Sequence, residues 1–508
     1  MKRFCVFPGF NLVLILLFSI SNSSLAQSPV VQTKYGSVEG YTEDGISIFK
    51  SIPFATPPVG NLRWRAPQPP AAWQGVKKCI SFSASPVQST PVPFSCWTEE
   101  FISPPEPLGE DCLYLNVWTG AKPNEKRPVF VWIYGGGFVS GSSACAIYDG
   151  KEFAKSGVVF VSINYRVGAF GFMAHPELTG EGNGSSGNYG MMDQVAALKW
   201  VKENISAFGG DPLNVTIAGQ SAGSMSVYGI IFSPSSSGLF QKAIAHSGGI
   251  VGSFKLENLK SAEEAGISLQ KMLGVKDLAA MRALPADSIL HQSQKVSNFR
   301  YAPILDGRFL PADLNNALEN GQFNQVDLLG GWVTGDGGLF GDQKMDKEAF
   351  TKYIQEHYPG KSPELLKLLP HETGEQISAS MQKLTLVNFA VAGLYEFSRY
   401  NKKSTYIYEF SHIPTDKPGF PNYGAFHTSD VPYALHTLHL WKRPWKEVDY
   451  AVENAMSGYW LNFVKTGNPN GPGLPQWNRF STKNILEIGD KVKELAEPYQ
   501  ELLMTLYQ

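Results

Sequence analysis

The sequence predicts an α/β fold: a large, mostly parallel, twisted central sheet flanked by helices, with long loop and helical excursions. Three observations predict it. Near-continuous runs of Val, Ile and Phe recur along the chain without the alternation of a half-exposed strand, as in sheets buried on both faces. Segments of helical spacing separate these runs, as parallel crossovers require. No linker, internal repeat or low-complexity tract breaks the series. The 508 residues would suit roughly two to four domains at about 150 residues each. The missing linker instead argues for one domain over residues 27–508.

Taken in order, residues 129–133 (Val-Phe-Val-Trp-Ile) read as a buried strand that ends in glycines, and 158–163 as a second. Residues 189–208 carry apolar side chains at helical spacing through Met192, Val195, Leu198, Val201 and Ile205. That helix should stop at Gly209-Gly210-Asp211-Pro212. Residues 214–218 form a third strand and 222–232 a helix. Further strands are expected at 326–329 and 406–410, and helices at 387–400 and 450–464. The Pro-rich stretch 86–107 reads as an ordered surface loop.

Composition narrows the class. Hydrophobic residues make up 43% and charged ones 17%, enough apolar surface to rule out intrinsic disorder. Lys+Arg number 43 against 45 Asp+Glu; no basic excess is left for phosphate backbones, so nucleic acid is not expected as a partner. Fifty glycines and 34 prolines suit a large loop-rich enzyme better than a helical bundle.

The N-terminus reads as a secretory leader over residues 1–26. Lys2 and Arg3 precede an apolar stretch from Phe10 to Ile20, and Ser24-Leu25-Ala26 provides a small-residue exit. The apolar run is short of the ~20 residues that span a bilayer, so no stable membrane insertion is expected. The predicted product is secreted or periplasmic, cleaved after Ala26. Export permits disulfides; Cys79, Cys96, Cys112 and Cys145 allow three full pairings, and sequence leaves the choice open. No Cys-x-x-Cys or His-x-x-x-His cluster supports a metal.

Gly219-Gln220-Ser221-Ala222-Gly223 is the one Gly-x-Ser-x-Gly in the chain. Its setting gives it weight: a β-branched strand precedes it and a helix follows. A sharp turn there holds a serine in a strained conformation with Oγ exposed, and its neighbours two residues away must be small. Ser221 is therefore the candidate nucleophile. Gly135-Gly136-Gly137 follows the strand at 129–133, where amides can meet a developing oxyanion. The amides of Gly136 and Gly137, with that of Ala222, are the candidate oxyanion hole.

The base should lie late in the chain on a loop. Of nine histidines, His427 fits best, in the polar segment Asn422-Tyr423-Gly424-Ala425-Phe426-His427-Thr428-Ser429-Asp430. The acid should follow a strand between Ser221 and His427. Asp336 in Thr334-Gly335-Asp336-Gly337-Gly338 does so, with glycines to aim one carboxylate. Asp306 is the rival, but it also reads as a turn residue.

These residues sit among motifs that resemble the type-B carboxylesterases, the cholinesterase-like branch of the α/β-hydrolase fold. The likeness includes Ile52-Pro53-Phe54-Ala55, Leu62-Arg63-Trp64, Glu110-Asp111-Cys112-Leu113-Tyr114-Leu115-Asn116, Tyr134-Gly135-Gly136-Gly137-Phe138, Asn164-Tyr165-Arg166 and Phe208-Gly209-Gly210-Asp211-Pro212. The resemblance implies a Ser–acid–His triad, no metal and no cofactor. It also implies a small-molecule carboxylic ester as substrate, bound in a deep gorge, and it leaves oligomeric state open. Lipase and amidase activity would use the same triad, and a non-catalytic binding relative would share the fold.

Three departures stand out. The family acid is usually Glu in Asp-Glu-Gly, where this chain has Gly335-Asp336-Gly337; the shorter side chain requires a closer loop or a looser triad. The residue before the nucleophile is usually Glu and here is Gln220. The usual first cysteine of the early disulfide falls at Pro86, so Cys79 or Cys96 would have to partner Cys112, leaving Cys145 with the remaining one. Trp97, Phe101, Phe138, Leu339, Phe340 and Phe426 are the candidates for lining the substrate pocket. An apolar gorge would favour bulky or aromatic acyl groups.

Overall fold

The computed structural model describes Met1, Cys5 and residues 28–251, 255–297, 299–339, 341, 344–481 and 484–507. Apart from Met1 and Cys5, the expected leader lies outside these residues, as does Phe340. A sheet of eleven strands organises the chain. In chain order they are β1 (Tyr41–Glu43), β2 (Ile46–Pro53), β3 (Tyr114–Thr119), β4 (Arg127–Ile133), β5 (Val159–Ile163), β6 (Gly210–Gln220), β7 (Lys242–His246), β8 (Asp327–Val333), β9 (Thr405–Phe410), β10 (Asn484–Ile488) and β11 (Val492–Ala496). Across the sheet the order is β11-β10-β9-β8-β7-β6-β4-β5-β3-β2-β1.

Every pairing from β5 through β4 and β6 to β10 is parallel. The edges are antiparallel: β1, β2 and β3 on one side, β11 on the other. Helices cover both faces of the parallel middle, so its strands are buried along most of their length. Val129, Phe130, Val131, Trp132 and Ile133 are all fully buried, which is why this run does not alternate.

Five helices bear on the site: α1 (Tyr189–Asn204), α2 (Ala222–Phe232), α3 (Gly374–Leu386), α4 (Ala392–Tyr400) and α5 (Glu447–Thr466). The helix expected over 189–208 ends as a 3₁₀ turn, Ile205–Phe208, capped by Gly209 at φ 81°. A left-handed C-cap costs glycine nothing sterically. The helix expected over 387–400 is the continuation of α3. It passes through a π-turn, Val387–Val391, before α4. The extra residue of such a turn turns one side chain out of register, and Phe389 there stands edge-on to His427 at 5.7 Å.

The expected disulfides are absent: Cys79, Cys96, Cys112 and Cys145 are all free and buried. Each is enclosed by different neighbours. Cys79 Sγ faces the Ser51 carbonyl at 3.8 Å, Cys145 Sγ faces the Phe101 carbonyl at 3.7 Å, and Cys112 lies in the field of the Arg166–Asp193 pair. Burial pushes the Cys79 and Cys96 thiols up to about 11 and Cys145 to about 12, so none is a ready thiolate. No helix among the described residues is long and apolar enough to cross a membrane.

Candidate active site

Strand β6 ends at Gln220 and α2 begins at Ala222, so Ser221 alone makes the turn. Its φ of 59° and ψ of −122° lie in a region L-residues rarely occupy, and the surrounding structure must hold it there. Its N–H donates to the His246 carbonyl of β7 at 2.9 Å. The flanking glycines are obligatory for contact reasons. A Cβ on Gly223 would strike the Ile133 carbonyl of β4, and one on Gly219 would strike the backbone of Gly223.

The glycine turn after β4 lies directly against this elbow. A Cβ on Gly135 would sit 2.6 Å from the Gln220 carbonyl. Gly136 and Gly137 take φ values of 107° and 63°, which side chains would resist. Ala222 opens α2, so its amide is one of the helix's unpaired donors.

Asp336 sits in the 3₁₀ turn Thr334–Gly338 immediately after β8. His427 Nδ1 donates to Asp336 Oδ1 at 2.6 Å, and Asp336 Oδ2 accepts the Val333 N–H at 3.1 Å. The shorter acid reaches because the two loops touch. Gly335 donates its N–H to the Ala425 carbonyl at 3.0 Å, and a Cβ on Gly335 would collide with that carbonyl. Asp306 behaves as a turn residue: its carboxylate accepts the N–H groups of Phe309 and Leu310, both at 2.9 Å.

The far side of the imidazole holds a contact that sequence reasoning missed. The Gln220 amide nitrogen is 3.0 Å from His427 Nε2. The same nitrogen is 3.5 Å from Nδ1, so the amide lies against the ring rather than along the outward lone pair of Nε2. Among the described residues no hydrogen bond reaches Ser221 Oγ, although Ser221 and His427 line one cavity. The neutral residue at 220 was visible in the sequence, but where its side chain points was not.

A second buried histidine braces the elbow from behind. His246 Nδ1 donates to Asp430 Oδ2 at 2.8 Å, and Trp460 of α5 donates its indole N–H to His246 Nε2 at 3.0 Å. An indole can only donate, which sets the His246 tautomer. Tyr408 of β9 donates its hydroxyl to the same Asp430 oxygen at 2.8 Å, and burial beside that carboxylate raises the Tyr408 phenol far above its ordinary value. The network ties the loop carrying His427 to the strand whose carbonyl receives the Ser221 N–H.

Ser221, His427, Gln220 and Gly135-Gly136-Gly137 open onto one cavity of about 610 Å³. Trp97, Phe101 and Leu339 line it, as do Phe94, Tyr148 and Arg300. Trp97 donates its indole N–H to Thr428 Oγ1 at 3.2 Å. Phe138 and Phe426, expected in the pocket, turn into the protein instead. Phe138 packs edge-on against Phe172 at 5.3 Å, and Phe426 is wedged between Phe101 and Trp441. No pattern of spacing distinguishes an aromatic facing a cavity from one facing the core. Among the described residues, no group of three or more His, Cys, Asp or Glu side chains is placed to hold a metal ion.

The chain matches the model of the carboxylesterase family over residues 27–504. It is 32% identical to a para-nitrobenzyl esterase of Bacillus subtilis, covering 94% of this chain and 98% of that one. It is 32% identical to a fumonisin B1 esterase of Sphingopyxis macrogoltabida, covering 91% and 87%. A human bile salt-activated lipase is 34% identical over 92% of this chain and 68% of its own. The crystal structure of a Geobacillus stearothermophilus carboxylesterase superposes with a TM-score of 0.82 at 30% identity, covering 94% of this chain and 99% of that one. The chain belongs to the carboxylesterase family and is a carboxylic ester hydrolase of the α/β-hydrolase fold.

Proposed function

We propose that the protein hydrolyses small carboxylic esters through an acyl-enzyme on Ser221, and that it acts outside the cytoplasm after removal of the leader at residues 1–26. The observation that carries the mechanism is the 2.6 Å Asp336–His427 pair opening onto the same cavity as a serine held at φ 59°. The Ser221 hydroxyl turns toward His427 Nε2. As Oγ attacks the ester carbonyl, its proton moves to His427 Nε2. Asp336 keeps the imidazole in the accepting tautomer and stabilises the imidazolium. The amides of Gly136, Gly137 and Ala222 receive the oxyanion, an interaction worth roughly 3–4 kcal/mol per donor. The alcohol departs with the proton from His427. Water then repeats the sequence on the acyl-enzyme and releases the acid.

Ser221→Ala tests this reading. Turnover of 4-nitrophenyl acetate should fall by about 10⁴-fold or more, and a fluorophosphonate should add mass to the Ser221 peptide of the wild type and not to the variant. Wild-type turnover in Ser221→Ala would refute it.

A further inference from the structure

We propose that the active-site cavity is built for esters that carry a second, ionised acid group, and that Arg300 binds that group. The inference rests on the esterase reading above and names the substrate class for the same site. Arg300 is the one Lys or Arg among the described residues lining the cavity, and no Asp or Glu lines it. Its Nη2 donates to the Gly137 carbonyl at 3.1 Å, which fixes the guanidinium beside the glycine turn that faces Ser221. Among the described residues it forms no ion pair with any carboxylate. A guanidinium carries five N–H donors, and this contact uses one.

The surroundings leave that charge free to take an anion. Arg300 is open to solvent at the cavity mouth, yet enough protein encloses it to lower its pKa from the ordinary guanidinium value. Fixed cations with spare planar donors favour carboxylates over neutral polar groups. The 3.1 Å bond to Gly137 places the guanidinium beside a residue of the candidate oxyanion hole, so an acid group on either side of a short ester is the one to test. The purely apolar substrate expected of an aromatic gorge would leave this cation with no counterpart.

The test compares acids with their neutral amides. Monoethyl succinate and ethyl succinamate place the group on the acyl side; acetoxyacetate and acetoxyacetamide place it on the alcohol side. Hydrolysis is followed in a pH-stat for the full-length wild type, Arg300→Gln and Arg300→Lys. In the wild type, kcat/KM for the acid should exceed that for the amide by on the order of tenfold in at least one pair, the size of one charge-assisted hydrogen bond. The ratio should fall to about one in Arg300→Gln, survive in part in Arg300→Lys, and shrink as salt is added. A wild-type ratio of one or below in both pairs overturns the inference, as does a ratio that persists in Arg300→Gln. Both results leave the esterase reading intact if 4-nitrophenyl acetate is still hydrolysed. Failure on 4-nitrophenyl acetate as well removes the esterase reading and this inference with it.

Discussion

Asp336 is one methylene shorter than the glutamate common at its place, and the structure closes that gap with backbone rather than side chain. The Gly335 N–H to Ala425 carbonyl bond brings the two loops close enough for a 2.6 Å contact. Asp336 is fully buried, so there is no room for a longer acid to bow outward. Asp336→Glu should therefore push the imbalance onto His427 and lower kcat by about 10²-fold, the cost of a misplacement of roughly 1 Å. KM for a short ester should change little, and steady-state kinetics on 4-nitrophenyl acetate separate the two parameters. Gln220 is the other residue whose role depends on direction. Its identity in Gly-Gln-Ser showed that a carboxylate was missing; only the folded strand end reveals that its amide rests on the imidazole.

At the scale of elements, the turn from β6 to α2 depends on the contact of Gly223 with Ile133 of the neighbouring strand. Gly223→Ala places a methyl on that carbonyl, and neither strand can retreat because both are buried and paired on each side. Overpacking of this kind costs about 1–3 kcal/mol or more. The urea midpoint of Gly223→Ala should fall accordingly, with activity falling further than stability because Ser221 shifts with the turn. The strands and helices that build this unit were legible because burial on both faces makes their runs continuous. The antiparallel edges were not. Strand β1 has three residues and β11 is mostly exposed, so neither offers a hydrophobic run to read. The π-turn that aims Phe389 was equally hidden, since one extra residue leaves helical spacing almost unchanged.

Across the whole molecule, buried carboxyls link stability to pH, and Glu497 is raised farther than Glu409 or Glu453. Glu497 is 7% exposed. One oxygen accepts the Tyr499 N–H at 2.9 Å, and the other has no partner among the described residues. Burial pushes its pKa from 4.5 up to about 7. Between these values the folded protein keeps a proton that the unfolded chain has released. This contribution is therefore fully present below pH 4.5 and is lost as pH rises through about 7, by about 3 kcal/mol in all. Glu497→Gln should remove that slope: the stability difference between variant and wild type should grow in the variant's favour from pH 4.5 to 7, as urea titrations at several pH values would record.

Local sequence was enough for most of the parallel sheet and for the elbow, because each depends on neighbours in the chain, though not for strands β7 and β10. Strand runs, the glycines around Ser221 and the glycines around Asp336 carry their reasons within a few residues. Contacts between distant segments carry no such local mark. The separation of the four free cysteines, the burial of Phe138 and Phe426, the His246–Asp430 brace and the approach of Arg300 to Gly137 were decided by which surfaces meet when the chain closes. There the sequence supplies residue types, and packing alone selects their partners.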